Sequence, residues 1–192
     1  MNNYRAYTEA SDIDLIEWSG SGDRRAFDQI VVRYGVFAMR VAARIVSNSM
    51  IAEELVQEAM VRAWTQSKLF DPRRAQFSTW LYRIVVNLCI DHRRRVQPEP
   101  IPDDFDLVDP QKNVDEMLEE HERSAAISRA ASGLPANQRA AMVLVYDEGM
   151  SGAEAAHVLG LSAKAIERLL ARARAQLRER LCVEHNWKEV NR

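Results

Sequence analysis

Several large classes of protein are excluded by what this sequence lacks. No apolar run approaches the ~20 residues that a membrane-crossing helix needs. The opening "MNNYRAYTEASDID" has no basic segment followed by a greasy one, so neither a spanning helix nor a signal peptide is expected. Cysteine is scarce, at two in 192 residues. Cys89 and Cys182 lie far apart and have no metal-ligand spacing, so they are expected as two unpaired thiols in a reducing cytoplasm rather than as a disulfide framework. His92, His121, His157 and His185 are scattered, and each is expected as an ordinary polar residue rather than a ligand. There is no Ser/His/Asp set and no glycine-rich phosphate loop, so no catalytic residue, metal or cofactor is expected. Strand alternation is absent as well, while Ala, Leu, Arg, Glu and Gln abound, so the fold class expected is all-α.

The formal net charge of −2 hides a strong asymmetry. Residues 1–96 carry 14 Lys and Arg against 11 Asp and Glu, a charge of +3. Residues 97–122 carry 1 against 10, or −9, and residues 123–192 carry 11 against 7, or +4. Two mildly basic blocks thus flank a short acidic one, a pattern that points to a polyelectrolyte partner better than the total does. Within the acidic part, "QPEPIPDDFDLVDP" (97–110) holds four prolines in fourteen residues, which forbids a regular helix or a central strand. It is expected to be an extended linker. The organisation that follows is a helical domain over 1–96, an acidic Pro-rich linker over 97–122 running into the next domain's first helix, and a second small helical domain over 123–192.

Apolar spacing and caps place the helices. A short one is expected near Asp12–Trp18. Asp23 is placed to cap a second, Arg24 to about Val46, whose Phe27, Ile30, Val31, Tyr34, Ala38, Val41 and Ile45 keep a helical period. "SNS" breaks it, and Ser49 is the expected cap of a third, running through about Ser67. "FDPRRAQ" separates that from a helix over Phe77–Arg95. In the second block helices are expected near Val114–Ser132, Pro135–Tyr146, Gly152–Leu159 and Ala163–Leu181, with Pro135 suited to a first helical turn.

Three stretches carry functional chemistry. In "SGAEAAHVLGLSAKAIERLLARAR", Ser151–Arg174, Ser151 and Glu154 form a capping box. Ala155, Leu159, Leu161, Ile166 and Leu169 give an apolar set that changes phase at "GLS". Ala156 is small where two helices cross, Gly160 suits a tight exit, and Ser162 caps the second helix. That is the layout of a helix-turn-helix, whose second helix enters the DNA major groove. On its exposed side Glu167 and Arg168 suit base edges, with Lys164, Arg172 and Arg174 suited to phosphates and Ala171 between them. Two helices that merely pack remain the plainer alternative.

The second stretch is "FSTWLYRIVVNLCIDHRRR". Phe77, Leu81, Ile84, Val85 and Leu88 form an apolar stripe. Trp80, Arg83, Asn87, Asp91 and Arg94 share another face, offering an indole, an amide and cations, the chemistry of a single-strand binder. Arg93, Arg94 and Arg95 add attraction for any phosphate backbone. A core Trp80 with a solvated arginine end is equally compatible with these residues. The third is "MIAEELVQEAMVRAW", with Glu53, Glu54, Gln57 and Glu58 clustered at its front. No histidine and no second carboxylate helix completes a metal site there, so a docking face for a basic protein partner is expected.

These three stretches, in this order, resemble the extracytoplasmic-function class of sigma-70 family RNA polymerase sigma factors over nearly the whole length. Within that class the text is similar to that of a nickel- and cobalt-resistance sigma factor, though no residue shows metal sensing. The resemblance implies that "AEELVQEAMVRAW" is region 2.2, which binds the clamp helices of the polymerase β′ subunit through Glu53, Glu54, Leu55, Gln57, Glu58 and Trp64. It implies that Phe77–Arg95 is regions 2.3 and 2.4, which read and melt the −10 element with Trp80, Arg83, Asn87, Arg93, Arg94 and Arg95. Asn87 and the loop Lys68–Gln76 would lie in or near the pocket for a flipped base. "LPANQRAAMVLVYDEGMSGAEAAHVLGLSAKAIERLLARARAQL" would be region 4, which contacts the β flap and reads the −35 element with Lys164, Glu167, Arg168, Ala171, Arg172 and Arg174. The acidic linker would thread the basic interior of the polymerase. An anti-sigma factor, itself anchored in the membrane, would hold the protein inactive in the cytoplasm; the protein itself would not insert in the membrane. Two departures stand out. Lys164 and Ala165 replace a common Gly-Thr pair, and Glu167 stands where a basic residue is usual, so the −35 preference should differ from that of typical relatives.

From the residues alone, a dimeric helix-turn-helix repressor or activator explains Ser151–Arg174 but leaves the first domain unused. A helical enzyme has no site to support it. An adaptor without DNA contact leaves the basic recognition helix unexplained.

Overall fold

The structure, a computed structural model, describes residues 6–96 and 130–190. Every regular element among them is a helix. The linker, and the helix expected near Val114–Ser132 apart from its last residues 130–132, which are helical, lie outside the described residues.

Helix α1, Asp12–Gly20, starts at Ser11, whose Oγ accepts from the Asp14 N–H at 3.2 Å while the Asp14 carboxylate accepts from the Ser11 N–H at 3.2 Å. Helix α2, Arg24–Val46, is capped as the sequence suggests, with Asp23 Oδ1 accepting from Arg25 N at 3.1 Å and Ala26 N at 3.4 Å. It buries Ala26, Ile30, Ala38, Val41, Ala42 and Ile45, while Val31 stays on the surface. Ser47 ends it in the left-handed region, φ 58°. That turn leaves Asn48 extended, and Asn48 rather than Ser49 caps α3, Ser49–Thr65, by accepting from Met50 N at 3.0 Å and Ile51 N at 3.2 Å. A single 3₁₀ turn, Ser67–Leu69, follows, and then α4, Phe77–Val96.

In the second block α5, Ala136–Met142, begins one residue after Pro135 and runs on into a wider helical turn over Val143–Asp147. Helix α6, Gly152–Leu159, and helix α7, Ala163–Val190, follow; α7 runs well past the expected Leu181.

The first four helices form a bundle around Leu15, Ile30, Ile45, Leu81, Val85, Val86 and Cys89, each under 2 % exposed. Burial of large aliphatic side chains of this kind stabilises by about 1.5–3 kcal/mol apiece. Aromatic rings fill the end of the bundle. Phe37 stacks on Tyr82 at 4.2 Å between centroids, and Tyr34 meets both Tyr82 and Phe77 edge-on. The second block does not keep a core to itself. Ala136, Ala140, Val143, Leu144, Ala155 and Val158 join the same apolar cluster as the first bundle, and a smaller cluster of Ala141, Ala156, Ile166 and Leu170 ties α5, α6 and α7 together. The two blocks are therefore distinct along the chain but continuous in their packing.

Candidate functional site

The second block presents α6, a turn and α7 in the geometry the sequence predicts. Ser151 Oγ accepts from Glu154 N at 3.2 Å and the Glu154 carboxylate accepts from Ser151 N at 2.8 Å. The Ser151 hydroxyl and N–H hold the Glu154 carboxyl below its ordinary pKa. Gly160 leaves α6 at φ 67°, and Leu161 N returns to Ala156 O at 2.9 Å, closing the helix end. Ser162 Oγ then accepts from Ala165 N at 3.2 Å. Ala156 is buried against Ile166 and Leu170, the close crossing for which a small residue is needed. Leu161 is an exception in the expected apolar set, since it sits on the surface. Along α7, Lys164, Glu167, Arg168, Arg172 and Arg174 are exposed and Ala171 is half-buried between them.

Helix α4 separates its faces. Phe77, Leu81, Val85 and Leu88 are buried, Ile84 is half-buried, and Asn87, Asp91, Arg94 and Arg95 are exposed. Trp80 stands between the two readings left open above. It is half-buried, its ring 5.6 Å from Phe70 and 5.7 Å from Phe77, at the edge of the loop that carries exposed Lys68, Arg73 and Arg74. In that loop Asp71 accepts from Arg73 N and Nε, both at 3.0 Å, which holds the Asp71 carboxyl below its ordinary pKa.

Two arginines depart from the expected surface. Arg83 is exposed, yet its guanidinium donates to the His157 carbonyl of α6. Arg93 is a correction, for it is 6 % exposed and does not join Arg94 and Arg95 at the solvent. Four-residue steps carry Val85 to Cys89 to Arg93, so helical periodicity aims it inward. There it donates to Ile45 O at 3.2 Å, Ser132 O at 2.9 Å and Leu134 O at 2.8 Å. Arg139, which no sequence pattern marked, lies beside it. Its Nε donates to Arg44 O at 2.7 Å and Ile45 O at 2.9 Å, and its Nη2 to Ser47 Oγ at 2.7 Å. Burial first, and the neighbouring Arg93 charge second, lower its pKa to about 10, against the pull of Asp147.

On α3 the residues Glu53, Glu54, Gln57 and Glu58 are all exposed. Gln57 Nε2 donates to Glu53 Oε1 at 3.3 Å, and Arg62 Nη2 to Glu58 Oε1 at 2.5 Å. Leu55 is the second correction. It shares the inward face with Ala52, Ala59 and Ala63 and belongs to the core, so it does not stand on this surface. Trp64 is half-buried, edge-on to Phe27 at 5.2 Å. Among the described residues no group of three or more His, Cys, Asp or Glu is arranged to hold a metal, and no helix is long and apolar enough to cross a membrane.

Comparison with known proteins covers both blocks. The sigma-70 region 2 family matches residues 30–99, and the sigma-70 region 4 family matches residues 124–177. The ECF RNA polymerase sigma factor SigM of Mycobacterium tuberculosis is 36% identical over 172 residues, spanning 88% of this chain and 84% of that protein. The RNA polymerase sigma factor CnrH of Cupriavidus metallidurans is 37% identical over 183 residues, spanning 88% and 93%. Among solved structures, CnrH in complex with the cytosolic domain of CnrY matches with a TM-score of 0.64 at 32% identity, over 90% of this chain and 97% of that one. The sigma factor RpoE in complex with the anti-sigma factor NepR from Bartonella quintana matches with a TM-score of 0.55 at 25% identity, over 82% and 97%.

Proposed function

The chain belongs to the extracytoplasmic-function class of sigma-70 RNA polymerase sigma factors, and from that membership we propose how its surfaces divide the work. It is a transcription initiation factor, not an enzyme: it binds RNA polymerase core and directs it to promoters. The observation that carries the division of labour is the recurrence, in one chain, of an acidic exposed face on α3, a two-faced α4 and a capped helix-turn-helix ending in a basic α7.

Glu53, Glu54, Gln57 and Glu58 dock the basic clamp helices of the β′ subunit, with Trp64 at the far end of the same helix; the core position of Leu55 supports that face from inside. Asn87, Arg94, Arg95, Trp80 and the Lys68–Gln76 loop meet the non-template strand of the −10 element. Opening it requires a base to leave the stack at a cost of a few kcal/mol, which stacking and hydrogen bonds on this face offset. Arg83 belongs to the same face. Lys164, Arg172 and Arg174 hold phosphates of the −35 element while Glu167 and Arg168 read its base edges, Ala171 allowing close approach. Region 4 also meets the β flap. The two solved relatives above were each captured with a second protein, in one case named an anti-sigma factor. That supports a similar inhibitor for this protein, anchored in the membrane and acting on a cytoplasmic sigma factor.

The test is reconstitution with core polymerase and a promoter library. Selective initiation is expected from wild type. Glu54→Lys should weaken core binding, Asn87→Ala should leave core binding intact and impair open-complex formation, and Arg168→Ala should relax the preference at one −35 base pair. Tight binding of palindromic duplex without core would instead make the protein a dimeric repressor or activator.

A further inference from the structure

A polar cluster on α1 and α2 adjoins the surface assigned to the −10 strand, and the functional reading leaves it unused. The link between them is Phe77, the first residue of α4, which is 3 % exposed. Its ring touches two groups of aromatic side chains. One is the pair on the −10 surface, Phe70 at 5.5 Å and Trp80 at 5.7 Å, which stand 5.6 Å from each other. The other is Tyr34 of α2, edge-on at 5.5 Å and itself edge-on to Tyr82 at 6.1 Å.

Packing alone can hold a ring, but Tyr34 is also held by its hydroxyl, which donates to Asp12 Oδ2. Arg33 Nη1 donates to Asp12 Oδ1 at 2.8 Å. Each oxygen of one carboxylate therefore has its own donor, and the two donors are neighbours on α2. Arg33 Nη2 ties down the approach to Asp12 as well. It donates to Tyr7 O at 3.3 Å, Thr8 O at 3.0 Å and Ala10 O at 2.7 Å, carbonyls of a turn in which Ala10 N returns to Ala6 O at 3.1 Å. The Tyr7 hydroxyl adds a bond to Asp23 Oδ2 at 3.1 Å. Burial first, and the bond to Asp12 second, raise the Tyr34 pKa far above its ordinary value, so the hydroxyl stays a donor. Asp12 is thus fixed on both sides, and it fixes Tyr34.

We propose that Asp12 and Tyr34 are positioning residues for capture of the flipped base, the Arg33–Asp12–Tyr34 brace holding Phe77 and Phe77 setting the Phe70–Trp80 pair. The proposal deepens the assignment of that surface to the non-template strand and rests on it. A binding constellation works only when held to within about 0.5 Å by side chains whose own rotamers are locked. Phe70 and Trp80 are half-buried and have one side to offer a base, so their placement depends on the rings behind them. Neither Asp12 nor Tyr34 touches DNA in this scheme; both act through Phe77. Helix α1 and the turn before it then take part in promoter opening, although no motif in them marks it. The brace contributes nothing to the acidic face of α3, so core affinity reports on a separate surface.

The experiment uses the full chain assembled with core polymerase. Each non-template base of the −10 element is replaced in turn by an abasic site, and open-complex formation is measured. In wild type one abasic position should weaken opening by about tenfold, marking the captured base. Tyr34→Phe keeps the ring and loses only the hydroxyl. It should weaken opening on the intact promoter by about threefold or more and leave core affinity unchanged. It should also shrink the abasic penalty at that one position, because a base that is poorly captured is little missed. A general loss of stability would leave that penalty at its full size. Asp12→Ala should act alike, and the double variant should lose no more than either alone, since both cut one brace. An abasic penalty as large in Tyr34→Phe as in wild type overturns the brace and spares the sigma reading. A wild-type chain that binds core but has no abasic-sensitive position overturns the assignment of the −10 surface, and the brace with it.

Discussion

Cys89 and Cys182 show how far a single residue's environment departs from its sequence context. Both are free thiols, Cys89 wholly buried in the first bundle and Cys182 exposed on α7. Burial pushes the Cys89 pKa up from 9.0 to about 12. A maleimide or disulfide reagent at pH 8 is therefore expected to modify one thiol in the native protein and two in urea. The linkage has a definite sign. Between pH 9 and about 12 the unfolded chain gives up this proton while the folded chain keeps it. Stability contributed by the buried thiol is thus complete below pH 9 and is lost as pH rises through that window. Cys89→Ala should flatten that fall in the urea midpoint measured from pH 8 to 10. At the same scale, Arg93 shows where sequence reading misleads. A run of three arginines looks uniform, yet a 100° step between neighbours sends one of the three inward. Counting four-residue steps back from Arg93 to Cys89 and Val85 could have found it. Nothing comparable pointed to Arg139, because its acceptors, two α2 carbonyls and the Ser47 hydroxyl, lie more than 90 residues away.

At the scale of the element, the helices were largely legible because each carries its own signals. Asp23, Ser151 and Ser162 cap where their chemistry suggested, and Gly160 takes the positive φ that the turn requires. The cap of α3 was misplaced by one residue, since "SNS" offers three capping side chains and only the left-handed Ser47 decides among them. The core position of Leu55 was obscured by the acidic run around it, although Ala52, Ala59 and Ala63 mark the same face. The capping box gives a direct measurement for α6. Ser151→Ala should cost about 1 kcal/mol, read as a lower urea midpoint with unchanged slope. Gly160→Ala should cost a similar amount, about 1 kcal/mol, because a Cβ disfavours φ 67° even though nothing lies within 4 Å of it. If Gly160→Ala proved stabilising, the helix-turn-helix turn described for α6 and α7 would be wrong.

At the scale of the whole molecule, the acidic, proline-rich segment suggests two blocks, and two family matches, over residues 30–99 and 124–177, lie on either side of most of it. Their joining was not legible. Ala136, Ala140, Val143 and Leu144 suit a private core as well as a shared one, and periodicity cannot tell which partner an apolar face will meet. Shared packing carries a thermodynamic signature. Thermal unfolding followed at 222 nm should show one transition, with the two blocks melting together. Leu144→Ala, in the second block, should cost about 2–5 kcal/mol and lower the melting of the first block too. Two resolved transitions, with only one of them displaced by Leu144→Ala, would mean that the blocks are energetically separate.

The carbonyl acceptors at the end of α2 and just before α5 have a further consequence, for heredity. Arg93 and Arg139 grip Arg44 O, Ile45 O, Ser132 O and Leu134 O, atoms that every amino acid supplies. Side chains at positions 44, 45, 132 and 134 can drift without removing the acceptors. The contact is therefore mutationally lopsided, with a few arginine codons able to abolish it and its receiving side nearly silent. A screen for variants whose two blocks lose their shared packing should return changes at 93 and 139 far more often than at the positions they hold.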